Sequence, residues 1–333
     1  MKPLLYLAVA AVLLLPSACG QDAGTGRVVV AYVTSWSDVM PDPQYMTHIN
    51  YAFGHVDSTF DAVRIDNPDR LRAIAALKKG SPSLNVMLSV GGWGSGNFSE
   101  MVADEALRKS FCASCARAVA DFGLDGIDID WEYPTSDMAG ISASPDDTEN
   151  FTLLMRDLRE VLGPGKFLTI ATSATAQYID YKAIVDYLDF VNVMAYDMSM
   201  GDSHHSGLYP SAYSAEMTSD GAVKAHLAAG VPREKLVMGM PFYGRGTRRF
   251  GRYVNYDAVA ADGYTVCWDE VSEVPFIVDS LRNYVFGFEN PRSLGIKCQY
   301  IVDEGLHGGM YWDYSGDNAE HELARTVRDG LLK

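Results

Sequence analysis

The chain has 333 residues, 48% of them hydrophobic and 21% charged, an ordinary globular composition with enough apolar material for a large core. With 43 acidic and 27 basic residues its formal net charge is −16. That sign excludes nucleic acid as a natural partner, since phosphate binding needs surplus Lys and Arg, and a solubilising surface is its plainest use.

The N-terminal residues stand apart from the elements that follow. Lys2 precedes an apolar run from Leu4 to Leu15, then Pro16, Ser17, Ala18 and Cys19. A run this short after a positive start reads as an export signal and not as a membrane span. Cys19 follows two small residues, as the lipidated cysteine of a bacterial lipoprotein does, although Pro16 holds the place usually given to Leu. The expectation is a lipoprotein signal over 1–19 and a short tether over 20–26, with secretion or periplasmic release as the alternative. No other stretch is long and apolar enough to span a bilayer, so any membrane contact would be through a lipid on Cys19.

From residue 27 onward, β-branched or apolar runs alternate with segments of helical spacing. The runs cover 27–33, 47–53, 84–90, 126–130, 167–173, 190–196, 235–241 and 308–312. Helical patterns cover 68–79, 100–122, 146–162, 180–187, 214–229, 290–305 and about 317–331. Eight strands alternating with helices predict a parallel sheet closed into a (β/α)8 TIM barrel, one domain over 27–333. The stretch 245–289 is rich in Tyr, Gly and Arg and reads as a short elaborated loop or small hairpin set between strands seven and eight. Cys112 and Cys115 form a C-x-x-C, but inside a helical segment and without a second pair at metal spacing, so packing is the expected role. Cys267 and Cys298 could pair in an oxidising compartment. His204 and His205 have no acid or Cys at ligand spacing, so solvent exposure is expected, with no metal and no cofactor. Asn97-Phe98-Ser99 and Asn150-Phe151-Thr152 match a glycan-acceptor pattern, a weak signal alone.

The fourth run, 125–134, reads DGIDIDWEYP. In a strand alternate side chains face opposite sides, so Asp128, Asp130 and Glu132 point one way and Ile127, Ile129 and Trp131 the other. The apolar set suits the helix layer of a barrel. The acids would then form a column inside it, with Glu132 at the C-terminal mouth. Burying three like charges demands shared protons and hydrogen bonds. Asp130 and Glu132 should titrate as a pair that keeps Glu132 protonated near neutrality, which makes it a general acid.

That run resembles the D-x-x-D-x-D-x-E signature of family 18 glycoside hydrolases, the chitinase family. Ser89-Val90-Gly91-Gly92 resembles the family's S-x-G-G, and Met194-Ala195-Tyr196-Asp197 its M-x-Y-D. The segment 241–245, PFYGR, resembles the end of strand seven, and Trp312 the tryptophan that ends strand eight. The resemblance covers about residues 27–320. It implies retaining hydrolysis without a protein nucleophile, an exception among glycosidases. By that similarity Glu132 would be acid and base, Asp130 would orient the substrate's acetamido N–H, and Asp128 would sit behind it holding a proton. Tyr196 would bond the acetamido group, and Asp197 would bind a sugar hydroxyl, with Met194, Tyr243 and Arg245 lining the cleft. Trp312 would form the floor, with Tyr32, Phe53 and Trp93 as further sugar contacts; Trp36 is a weaker candidate, for which core packing is the plainer reading. The implied activity is an endo-acting chitinase on β-1,4-linked N-acetylglucosamine, since the 245–289 stretch looks too short to wall a deep cleft. An endo-β-N-acetylglucosaminidase acting on N-glycans is the enzymatic alternative, and a non-catalytic sugar-binding protein the third.

Overall fold

Eight of the runs read from the sequence become the staves of a closed parallel barrel. The computed structural model describes residues 26–333; the expected signal, Cys19 and the tether before residue 26 lie outside the described residues. In chain order the strands are β1 (Val28–Thr34), β2 (His48–Val56), β3 (Val63–Ile65), β4 (Asn85–Gly91), β5 (Gly126–Asp130), β6 (Phe167–Ser173) and β7 (Phe190–Met194). They continue as β8 (Leu236–Pro241), β9 (Tyr243–Gly246), β10 (Val254–Asn255), β11 (Thr265–Asp269), β12 (Val274–Val278), β13 (Tyr284–Gly287) and β14 (Gly308–Trp312). Parallel pairing runs β1-β14-β8-β7-β6-β5-β4-β2 and closes from β2 back to β1, with β3 added antiparallel along β2.

The helices are α1 (Pro68–Ala75), α2 (Phe98–Ala103), α3 (Glu105–Phe122), α4 (Asp147–Leu162), α5 (Tyr181–Ile184), α6 (Ser219–Ala229), α7 (Pro291–Asp303) and α8 (Glu322–Leu332). Their ends follow local chemistry. Asp104 caps α3 by accepting from the amides of Ala106 and Leu107, and Gly123 closes it in the left-handed region. Cys112 and Cys115 lie buried on α3 as packing residues, and burial pushes the Cys112 thiol up to about 12. Among the described residues no helix is long and apolar enough to cross a membrane.

Strand alternation sorts the side chains into two cores. Val29, Ala31, Ile127, Ile129 and Trp131 join the core between barrel and helices. Val28, Val30, Tyr32, Phe53, Met87, Val237 and Met310 fill the lumen. The Ser89–Gly92 run needs its glycines. A Cβ on Gly91 (φ +129°) would lie 2.0 Å from the Asp130 carbonyl oxygen, and one on Gly92 (φ +92°) 2.5 Å from the Phe53 ring. Backbone therefore passes where a side chain would displace either residue of the mouth.

Between β8 and β14 the elaborated stretch takes its hairpin form. The stretch read as a loop or hairpin set is a five-stranded antiparallel sheet, β10-β9-β13-β12-β11, with its own core of Ile277, Val285, Phe286 and Phe288. Cys267 and Cys298 are unpaired. Cys267 sits half-buried on the edge strand β11, whereas Cys298 is buried on α7, its Sγ 3.9 Å from the Val327 carbonyl of α8.

Candidate active site

β5 carries two acids into the lumen in register with polar groups from its neighbours. Asp128 is fully buried. Its Oδ2 accepts from the Tyr32 hydroxyl and Ser89 Oγ, both at 2.8 Å, and its Oδ1 from Thr169 Oγ1 at 2.6 Å and Asn192 Nδ2 at 3.2 Å. These donors come from β1, β4, β6 and β7, so the carboxyl ties four staves to β5. Burial pushes its pKa up, the direction that suits a held proton, while the four hydrogen bonds oppose the rise.

Asp130, one step up, is 3% exposed, and its Oδ1 has no hydrogen-bond partner among the described residues. Burial, then the charges of Glu132 and Asp128, push its pKa well above the carboxylate range. Glu132 lies two residues past the end of β5, half-buried at the mouth. Burial, with Asp197 adding to it, raises Glu132 to about 7, against the opposing pull of a hydrogen bond from Tyr133. Trp131 between the two acids faces outward and stacks on Phe98, ring centroids 5.2 Å apart.

Beyond β7, Tyr196 turns its hydroxyl toward Met310 Sδ at 3.8 Å. Burial, then the charges of Asp130, Asp197 and Glu132, keep it protonated, so it remains a hydrogen-bond donor among carboxylates. Asp197 (φ +58°) accepts from Tyr243 Oη and from Arg245 Nε, each at 2.7 Å, and from the second Arg245 nitrogen. Burial alone would raise its pKa; the Arg245 guanidinium overrides that and holds the carboxyl far below the usual range. Met194 packs at the edge of the lumen cluster.

Trp312, at the end of β14, stacks on Phe53 with centroids 5.6 Å apart and planes 18° apart. Trp36, 65% exposed, lies 6.3 Å from both Phe53 and Trp312, so it belongs to the mouth and not to the core. Trp93 is 61% exposed on the wall of an open 460 Å³ cavity also lined by His55, Arg64 and Asn97.

Two expectations need correction. Tyr32, expected as a sugar contact, is buried to 1% with its hydroxyl committed to Asp128, so it supports the acid from below. His204 and His205, expected in solvent, are both buried, because the insertion sheet folds over their loop. His204 Nε2 meets Asp269 of β11 at 3.0 Å, and His205 Nδ1 stands 3.5 Å from Asp197 Oδ1. Among the described residues no cluster of three or more His, Cys, Asp or Glu could hold a metal. Sequence reasoning missed Tyr253, which stacks on Tyr243, and Tyr178, which stacks on Tyr133. Only an alternating pattern around 253 could have flagged the first, and two residues of strand are too few to show one.

A model of "Glycosyl hydrolases family 18" matches residues 28–317. Chitinase A1 of Niallia circulans is 29% identical over 89% of this chain and 57% of that protein's length, so the chain spans little more than half of that relative. Chitotriosidase-1 of Mus musculus is 30% identical over 92% of this chain and 79% of its own. Among solved structures, a family 18 N-acetylglucosaminidase from Paenibacillus barengoltzii superposes with a TM-score of 0.82 at 34% identity, covering 92% of this chain and 100% of that one.

Proposed function

Since the chain belongs to family 18 of the glycosyl hydrolases, we propose that it cleaves β-1,4 bonds of N-acetylglucosamine polymers by retention, with the substrate's own acetamido oxygen as nucleophile. The observation that carries this reading is the unpartnered Oδ1 of Asp130 beneath Glu132. A buried carboxyl oxygen without a donor is costly, and an acetamido N–H from a sugar bound above it would supply that donor.

In this scheme Glu132 gives its proton to the leaving oxygen as the glycosidic bond breaks, and the acetamido oxygen closes on the anomeric carbon. Asp130 accepts from the acetamido N–H and balances the positive charge of the oxazolinium-like intermediate. Tyr196 donates to the acetamido oxygen. Water then opens the ring as Glu132, now a carboxylate, takes its proton. Trp312 offers an indole face for the flat C–H surface of the sugar. Asp197, held by Arg245 and Tyr243, stands ready for a sugar hydroxyl beside the cut. Retention of all three acids argues against a binding protein without catalysis.

Internal cutting is our reading of the mode, supported by the exposed Trp36, which extends the aromatic surface beyond Trp312, and by Trp93, exposed on the wall of an open cavity. Release of single N-acetylglucosamine units is the second reading, favoured by the solved N-acetylglucosaminidase whose whole length this chain matches. A time course on chitohexaose separates them: early dimer, trimer and tetramer support internal cutting, and monomer from the first minutes overturns it. Fully deacetylated polymer should not be cut; efficient cutting would exclude the acetamido mechanism. Export with Cys19 as lipid acceptor belongs to the same proposal, and Cys19→Ala should then move the protein from membrane to soluble fractions.

A further inference from the structure

The insertion sheet reaches the mouth through one side chain. β10 pairs with β9 so that Val254 faces Gly244 and Asn255 faces Tyr243. Extending that antiparallel register by one residue sets Tyr253 across from Arg245 and diagonal to Tyr243, the cross-strand positions whose side chains meet. They do meet. The Tyr253 and Tyr243 rings stack with centroids 4.2 Å apart and planes 15° apart. The Arg245 guanidinium lies 5.3 Å from the Tyr243 ring and 5.2 Å from the Tyr253 ring.

What holds this hairpin is the insertion and not the barrel. A Cβ on Gly244 would stand 2.3 Å from the Phe286 ring, and one on Gly246 2.5 Å from it, so β9 lies directly on the insertion's core. Gly251, at φ +140°, makes the turn that returns the chain to Tyr253. The tyrosine is thus delivered to the mouth by packing some distance from the acids.

Its polar end is equally placed. Its hydroxyl lies beside the Trp312 indole, whose N–H opposes the rise that burial and Asp313 give the phenol's pKa. Indole is a donor only, so it leaves the tyrosine's own O–H available. Tyr243 beneath is buried, whereas Tyr253 is 42% exposed. One ring face is spent on Tyr243. That exposure leaves part of the ring and the hydroxyl free to meet a ligand beside the floor.

We propose that Tyr253 is a substrate-positioning residue, the side wall of the subsite over Trp312, which meets the sugar with its ring and donates a hydrogen bond to a sugar oxygen. The proposal rests on the hydrolase reading above and deepens it by assigning the insertion a part in binding. An aromatic wall meeting an aromatic floor makes a corner, which fixes both the plane and the rotation of a pyranose ring where a floor alone fixes only the plane.

Calorimetric titration of chitotetraose into Glu132→Gln protein, which binds without cutting, tests it, alongside kinetics in the Glu132 background. Tyr253→Ala should weaken Kd about tenfold and raise KM by a similar factor, with kcat changed less than about threefold, the split expected when a binding contact is lost. Tyr253→Phe keeps the ring and loses the hydroxyl, so it should weaken Kd only about threefold. A Kd within twofold of the parent for Tyr253→Ala overturns the proposal, as does a fall in kcat at constant KM. Unequal near-UV circular dichroism for Tyr253→Ala throws the decision to Tyr253→Phe, whose unchanged Kd would also overturn it. Failure of the Glu132→Gln parent to bind chitotetraose, together with no cutting by the natural chain, sinks the hydrolase reading instead. Cutting with an indifferent Tyr253 sinks only this one.

Discussion

Two buried clusters of charge lie on opposite sides of the same wall of this barrel, and they are built on opposite rules. Outside, Arg108 of α3 bonds Asp157 Oδ2 of α4 at 2.8 Å and the Val102 carbonyl at 3.1 Å, while Arg156 takes Asp157 Oδ1 at 2.8 Å. Both oxygens are satisfied and cations face the carboxylate. Burial alone would raise the Asp157 pKa, but the two arginines hold it below the usual range. Inside, Asp128, Asp130 and Glu132 stack without a cation of their own, and one oxygen of Asp130 is left open. Satisfied charge joins two helices; unsatisfied like charge raises pKa values and leaves room for a ligand.

Removing one member from each cluster is the strongest way to break that contrast. Glu132→Gln keeps shape and loses the transferable proton, so kcat on chitotriose should fall by about 10⁴-fold, the upper end for a general acid that also serves as base. The fold should survive. Arg108→Met should do the reverse, destabilising the protein by about 3–5 kcal/mol because Asp157 is left buried and underpaired. Urea unfolding at pH 7 would measure it, and kcat of the folded fraction should stay within about twofold of the parent. Loss of activity without loss of stability in Arg108→Met would mean that the outer cluster is not merely structural.

Asp130→Asn sharpens the contrast inside the column. The amide cannot balance positive charge, so kcat should drop by about 10²–10³-fold, the range for losing one electrostatic stabiliser. The open oxygen at position 130 carries the argument, so a loss smaller than that for Tyr196→Phe would count against its assigned role.

Why one cluster was legible in the sequence and the other was not follows from the same contrast. The column lies along one strand with period two, so DGIDIDWEYP displays it in ten letters. All eight staves were legible too, because each is a short β-branched or apolar run set between segments of helical spacing. Arg108 and Asp157 are 49 residues apart, and nothing in either helix announces a partner on the other. Lys297 is harder still: nothing in the 290–305 helical pattern marks it, yet it is fully buried against Glu289 and the Ser206 carbonyl. The insertion was legible only as a loop or small hairpin set, and its separate strands were not, because they are two to five residues long and broken by Gly, Arg and Tyr. Its consequence for the site, Tyr253, went with it. Among the described residues the non-proline cis peptides at Ala52–Phe53, Glu132–Tyr133 and Trp312–Asp313 leave no trace in composition or spacing.

The smallest effect is the dependence on pH, and its sign comes from the column alone. Burial, reinforced by the negative Asp197, lifts Glu132 from an ordinary carboxyl value to about 7, a step it shares with Asp130 in a joint titration. Cleavage needs the protonated form, so kcat should be level below that step and fall above it, by about tenfold between pH 6 and pH 8. Stability should move in the same direction. A carboxyl whose folded pKa exceeds its unfolded one contributes fully below the unfolded value and loses that contribution as pH rises through the folded one. Glu132→Gln carries no such liability, so its Tm should match the parent's at pH 4 and exceed it at pH 8. Asp157, depressed by its arginines, predicts the opposite trend for the outer cluster: its contribution is present at neutrality and lost on acidification. A rate profile that stays flat to pH 9, or equal Tm values for parent and Glu132→Gln at pH 8, would show that the column does not store charge repulsion and would remove the physical ground for treating Glu132 as the acid.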